Sequence, residues 1–327
     1  MSLVRNVSTP VIARVLLADI GGTYSRFALT GADGRPERII TFDNDAFPAL
    51  DAAISSYLEE LETRPDAAVL AVAGPVNGHE IALTNRAWRF HLGDLAEQFG
   101  LSRIQAINDF EALAWALPLL GENDTHRLGV GTEPGDGAKL VLGPGTGLGV
   151  AALVPSGDSW QSVASEGGHA SFGADTPEEE PVFARLRARA RVTAETVLSG
   201  PGLARLHVAL HPGVPPLAPE TIVAHAQAGE RTAQATIRLF IRLLGRFAGD
   251  VALTFKATGG VYITGGVALG LGPLFDEALF RAAFEAHPPY ERLLTAIPTY
   301  LVTCVEPGLV GCAALALVFL SPASGER

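Results

Sequence analysis

The sequence predicts an α/β protein. Three observations carry that expectation. Apolar runs of strand length recur along the chain, glycine-rich turns close several of them, and helix-period stretches separate them. The chain has 327 residues, which at about 150 per domain makes roughly two domains or one large one. Apolar residues at 48% and charged residues at 18% are enough to bury sizeable cores and exclude a disordered chain.

The elements follow in order. Residues 11–30, VIARVLLADIGGTYSRFALT, read as strand, tight turn and strand. AAVLAVA at 67–73 is a buried strand stopped by Gly74-Pro75. IQAI at 104–107 is another, ending at Asn108-Asp109; FEALAWALPLL continues as a helix that Gly121 closes. Residues 121–137, rich in Gly, Asp, Asn and Thr, read as a surface crossing between domains. KLVLGPGTGLGVAALV at 139–154 repeats the strand, glycine turn, strand pattern, with Thr146 placed much as Thr23 is, which fits a duplicated domain. A helix is expected between 176 and 191, with Thr176-Pro177-Glu178-Glu179 as a capping box and Pro181 disturbing its first turn. Helix-period apolar residues run through 220–255, and GVYIT at 260–264 is a strand into Gly265-Gly266. YLVTCV is the last strand, followed by a Pro-Gly turn and an apolar helix at 309–320.

Charge and residue usage exclude several classes. Acidic residues number 35 against 24 basic ones, for a net charge of -11. That balance argues against nucleic acid or an anionic membrane as partner. The longest apolar run, Val310 to Leu320, is about half of what a spanning helix needs, and no cleavable leader is evident, so a cytoplasmic protein is expected. Two cysteines, Cys304 and Cys312, form no disulfide framework. The only lysines, Lys139 and Lys256, lie outside any G-x-x-x-x-G-K-[ST] run, which rules out a P-loop. A dinucleotide fingerprint must open a helix, whereas both glycine turns here open strands. What remains is a pair of hairpin turns with exposed N–H groups and a Thr hydroxyl, able to grip phosphates or serving only as turns.

DIGGTYSRFAL, AVAGPVNG, INDF, GPGTGLGVA, SEGGH, VLSGPG and ITGGV occur in this order. Together they resemble the bacterial glucokinase family, within the hexokinase–actin–Hsp70 superfamily, over roughly residues 15–320. The resemblance implies two actin-like ATPase (ribonuclease H-like) α/β domains around a central cleft. The small one is expected at 1–120 plus 307–327 and the large one at 121–306. It implies glucose and ATP as substrates, Mg²⁺ but no structural zinc, and a homodimer.

The same resemblance implies residue roles. Asp109 is the base on the sugar 6-hydroxyl and Asn108 binds the neighbouring hydroxyl; from spacing alone, Asp109 reads equally well as a helix N-cap. Glu166 and His169 in SEGGH, and Glu195 after Thr193, are further sugar contacts; taken alone, Glu195 reads as a dipole-stabilising acid. No cysteine lies within a hundred residues of SEGGH, so the zinc cluster of a related sugar-binding family is absent. Ala18, Asp19, Ile20, Gly21, Gly22 and Thr23 are the first phosphate cradle, with Asp19 near Mg²⁺, directly or through water. Gly145, Thr146 and Gly147 form the second, and Gly265 and Gly266 lie against adenosine. Arg26 reads as a cation near the phosphates or a solvated strand residue. Tyr24 stands where the family usually has Asn, and VALGLG after Gly266 lacks the Pro-Arg often found there.

The expected activity is transfer of the ATP γ-phosphoryl group to glucose. Kinases of another hexose, or ones using polyphosphate, are close rivals. A sugar-sensing regulator would need a DNA-binding module, which is not expected when the first strand begins by residue 15. A chaperone-like relative would lack SEGGH.

Overall fold

β1 (Val15–Ile20) turns through Gly21, Gly22 and Thr23 into β2 (Tyr24–Thr30) and on to β3 (Pro36–Asp43). The computed structural model describes residues 14–84, 86–130 and 132–320. Positions 11–13 of the expected first strand and 321–327 of the expected last segment lie outside the described residues. The chain divides into two units, Met1–Leu119 with Glu306–Arg327, and Leu120–Val305.

In the first unit, α1 (Leu50–Glu59), β4 (Ala67–Val72), the small hairpin of β5 (Glu80–Ala82) and β6 (Arg89–His91), α2 (Leu92–Phe99), β7 (Arg103–Asn108) and α3 (Asp109–Ala116) follow. The sheet order is β3-β2-β1-β4-β7. β1 pairs antiparallel with β2, and β1, β4 and β7 run parallel. Every residue of β4 is buried, as a central parallel strand requires. Its register sets Ile20, Val72 and Asn108 side by side, so the three parallel strands end at one level. Phe27 and Tyr57 stack at 5.6 Å in the core beneath. α2 shows why these helices stop where they do: His91 caps its start through Gly93 N–H, and Gly100 closes its end in the left-handed region.

The second unit holds β8 (Thr125–Leu128), β9 (Lys139–Pro144), β10 (Leu148–Ser156) and β11 (Ser159–Ser165). After these come α4 (Glu180–Arg187), α5 (Ala194–Val197), α6 (Gly200–Leu210), α7 (Pro219–Gln227), α8 (Arg231–Phe255), β12 (Val261–Ile263), α9 (Gly266–Gly270), α10 (Glu277–Glu285), α11 (Glu291–Ala296) and β13 (Thr299–Val302). The sheet order is β11-β10-β9-β12-β13-β8. The long α8 buries Ile237, Phe240, Leu244 and Phe247 in the core of this unit.

The helix-period stretch 220–255 is helical as expected and forms two helices, because Gly229, at φ 88, breaks the chain between α7 and α8. Three expectations change. α4 starts at Glu180 with Pro181 in its first turn, and Glu179 makes no side-chain cap. That side chain is buried and bonded to Arg242 and Arg246 at 3.1 and 2.9 Å, so the expected capping box does not form. The helix after Asn108 ends at Ala116 and tightens into a 3-10 turn at 117–119, where Pro118 supplies no N–H. Within the expected crossing, 125–128 is a strand paired antiparallel with β13.

The last helix, α12 (Pro307–Leu320), belongs to the first unit and packs on α3. Its apolar residues are spread around the helix, and eight of them, from Gly308 to Ala316, are buried. The two helices touch backbone to backbone: a Cβ on Gly311 would stand 1.6 Å from the Ala112 carbonyl oxygen. Gly311→Ala is therefore expected to destabilise the first unit by about 1–3 kcal/mol, read as a lower thermal midpoint. Gly270→Ala in α9, where the same atom meets nothing within 4 Å, is the comparison. Equal midpoints for the two variants would contradict the close crossing.

Candidate functional site

In the first unit the candidate residues sit at the ends of the parallel strands, where α/β sheets place ligands. Asn108 is the N-cap of α3: its Oδ1 accepts from Phe110 N–H, and Glu111 reaches back to its own N–H. Its Nδ2 donates to the Gly74 carbonyl at 3.1 Å. Asp109 is thus the first helical residue and not the cap. Its Oδ1 also accepts from Phe110 N–H at 3.0 Å. Burial pushes the Asp109 carboxyl up to about 6, the charge of Asp19 adds to the rise, and the Phe110 bond opposes it.

Asp19 is the penultimate residue of β1. Burial raises its carboxyl to about 6 as well, with Arg26 opposing and Glu306 adding. Arg26 lies on β2 directly across from Asp19, 3.9 Å from its carboxylate, and its Nε stands 2.6 Å from Glu306. Arg26 is therefore neither a free phosphate cation nor a solvated strand residue; two carboxylates share it. The first turn of α12 comes against Asp19, since a Cβ on Gly308 would lie 2.9 Å from Asp19 Oδ2. The positive end of that helix favours the ionised form.

The glycine turn beyond Asp19 is closed by Gly21 N–H donating to the Tyr24 carbonyl at 3.0 Å. Asn44, fully buried, donates from Nδ2 to the Gly21 carbonyl at 2.9 Å and from its backbone N–H to the Thr23 carbonyl at 2.8 Å. The side chain of Tyr24 is 47% exposed.

The second unit gathers its own set. Gly145, Thr146 and Gly147 turn between β9 and β10, with Gly145 N–H bonded to the Gly147 carbonyl at 2.8 Å. Glu166 leads into a 3-10 turn at Gly167–His169. Thr193 caps α5, so Glu195 sits within the first turn of the helix Ala194–Val197. His169 Nε2 lies 3.9 Å from Glu166 and 4.0 Å from Glu195, which brings the three together. Glu195 Oε2 also accepts from Leu148 N–H at 2.9 Å, tying this group to the glycine turn. Gly200 N–H donates to the Gly145 carbonyl at 2.8 Å from the start of α6. The register of β12 on β9 pairs Ile263 with Leu142, and Thr264 N–H bonds the Leu142 carbonyl. Gly265 and Gly266 follow at the level of the turn.

Asn44 and Glu306 carried no signal in the sequence: one opens a short 3-10 turn just after β3, and the other precedes the Pro-Gly turn far from its partner Arg26. Among the described residues no group of three or more His, Cys, Asp or Glu could hold a metal ion. Asp19 is the carboxylate that a phosphate-bound cation could use, since Mg²⁺ needs one or two carboxylates beside its phosphates.

The chain matches the family model described as Glucokinase over residues 16–318. A protein of Burkholderia lata named bifunctional protein glk is 41% identical over 95% of this chain, which spans only 49% of that relative. A glucokinase of Rhizobium johnstonii is 38% identical over 97% of this chain and 95% of its own. The crystal structure of a glucokinase from an Antarctic psychrotroph superposes with a TM-score of 0.88 at 34% identity, covering 94% of this chain and 99% of that one. A match that takes in almost all of the described residues makes this chain a member of the glucokinase family.

Proposed function

We propose that the chain is an ATP-dependent hexose kinase that moves the γ-phosphoryl group of ATP to the 6-hydroxyl of glucose, giving glucose 6-phosphate and ADP. The observation that carries this reading is the state of Asp109. Asn108 supplies the cap, so Asp109 stands in the first turn of α3 as a carboxylate able to accept a proton, and burial raises it to about 6, near a working pH.

Phosphoryl transfer needs positioning, charge stabilisation and an acceptor for the hydroxyl proton. Asp109 takes the 6-hydroxyl proton as the sugar oxygen bonds to the γ-phosphorus and the bond to the ADP oxygen breaks. The turns at 21–23 and 145–147 offer backbone N–H groups to the phosphates. Asp19 would hold the Mg²⁺ that arrives with the nucleotide, which neutralises phosphate charge when bound. Glu166, His169 and Glu195 read sugar hydroxyls, because two acids around an imidazole supply both donors and acceptors. Cys304 and Cys312 are not joined in a disulfide, which supports a reducing, cytoplasmic setting.

Asp109→Asn keeps the size of the side chain but cannot take the proton, so kcat is expected to fall about 10²–10⁴-fold. Its thermal midpoint at neutral pH should not fall. A carboxyl whose folded pKa is about 6 instead of 3.8 costs stability when ionised, and that cost fades as pH drops from about 6 toward 3.8. Near-normal turnover in this variant would remove Asp109 from the chemistry.

The pH profile gives a separate check. Once pH is below about 6, Asp109 carries a proton in a growing share of molecules, and kcat/KM for glucose should drop about tenfold per unit. A flat profile down to about pH 5 would assign the proton to another group.

Sugar choice tests the acid–imidazole set. Glucose, mannose, galactose and fructose should differ widely in kcat/KM, because a polar group that the bound sugar covers but leaves without a hydroxyl partner costs about 1–3 kcal/mol. Glu195→Gln retains an oxygen for Leu148 N–H and should relax discrimination at one hydroxyl. Similar values for all four sugars on the unaltered protein would remove hydroxyl reading as the basis of selectivity.

A further inference from the structure

Arg86 has no part in the reading above, yet it lies against the first glycine turn. Its Nη1 donates to the Gly22 carbonyl at 3.3 Å and its Nη2 to the Asn44 carbonyl at 2.5 Å. Nη1 also meets Asp45 at 2.8 Å, and the guanidinium lies 4.7 Å from the centre of the Trp88 ring. The Arg86 side chain is 18% exposed, whereas that of Asp45 is 85% exposed. The charge of Arg86 is therefore held close to the turn while its one carboxylate partner is in water.

Each carbonyl of the turn is occupied. Gly21 bonds Asn44 Nδ2, Gly22 bonds Arg86 Nη1 and more distantly Asn44 Nδ2, Thr23 bonds Asn44 N–H, and Tyr24 bonds Gly21 N–H. The N–H groups of Gly22 and Thr23 have no partner among the described residues. Carbonyl oxygens repel phosphate and amide hydrogens attract it. A turn whose oxygens are all engaged and whose hydrogens are free is an anion site, provided something keeps it in that conformation.

We propose that Arg86, working through Asn44 and the Gly22 carbonyl, is a positioning residue for nucleotide phosphates. It fixes the carbonyls of the turn so that the Gly22 and Thr23 N–H groups stay available, and it adds positive charge beside them. The inference rests on the proposed kinase reading only for the identity of the anion as a nucleotide phosphate. Lysine cannot replace this fork, because an ammonium cannot serve two carbonyls and a carboxylate in the plane of one group.

The test is calorimetric binding of Mg·ADP without sugar, and of glucose without nucleotide, to the unaltered protein, Arg86→Lys and Arg86→Met. Mg·ADP affinity is expected to fall about tenfold or more in Arg86→Met and by a smaller factor in Arg86→Lys, with glucose affinity within about twofold of normal. If Arg86→Met does not fold, Arg86→Lys alone decides. Unchanged Mg·ADP affinity in a folded variant overturns the proposal. So does an equal loss for both ligands, which is what a merely structural role would give, and so does an unaltered protein that binds no Mg·ADP. An unaltered protein that binds Mg·ADP but phosphorylates no sugar would sink the kinase reading alone, and the Arg86 variants would still show the selective loss.

Discussion

Two carboxylates in the first unit are kept partly out of water, and much of that unit is arranged around them. Asp19 and Asp109 stand at the ends of parallel strands whose register stops them at one level, and Asp109 feels the charge of Asp19. Burial penalises both ions. The counterweights are specific and incomplete. Arg26 sits across from Asp19 but is shared with Glu306, and the start of α12 meets Asp19 only because Gly308 has no side chain. Asp109 is helped by the Phe110 N–H at 3.0 Å, by its own N–H and by the Asn108 side chain. Residual unfavourable charge of this kind is suited to a site that receives a proton on one acid and a cation at the other.

The two glycine turns look alike in sequence and are supported in opposite ways. The first spans four residues between the paired Ile20 and Ser25, and side chains from outside the hairpin engage its carbonyls, one of them cationic. The second spans three residues between Pro144 and Leu148. Its Gly145 carbonyl is held by the Gly200 N–H, and the adjoining Leu148 N–H is taken by the Glu195 carboxylate. A carboxylate beside a turn disfavours an anion there, so the first turn is the better suited of the two to hold one.

The hairpins, the parallel strands and the apolar last helix were legible because glycine punctuates apolar runs that have no other reason to stop there. β3 was not. Ile40 and Phe42 are its inward apolar residues, while Glu37, Arg38, Ile39, Thr41 and Asp43 are exposed, so an edge strand of this kind carries little apolar alternation. The break between α7 and α8 was hidden because helical periodicity resumes after Gly229. The three-residue strands β5 and β6 are too short to leave a pattern. At the site, residues on the strand-end and glycine motifs could be found, whereas Asn44, Arg86 and Glu306 act across tens to hundreds of residues of chain. Their partners are backbone carbonyls or a lone arginine, and neither leaves a spacing to read.

Glu195 is the point in the second unit where the acid–imidazole group and the glycine turn share one side chain. Thr193 caps the single turn that carries it, and the Ser199 hydroxyl bonds its backbone carbonyl at 2.8 Å. One residue on, Gly200 N–H holds Gly145. Six residues, 195–200, thus fix both ends of the Gly145–Leu148 turn and one of the two acids around His169. One carboxylate therefore serves both groups: Glu195 Oε2 accepts from Leu148 N–H and lies 4.0 Å from His169 Nε2, so a change at this one side chain disturbs the glycine turn and the acid–imidazole group together.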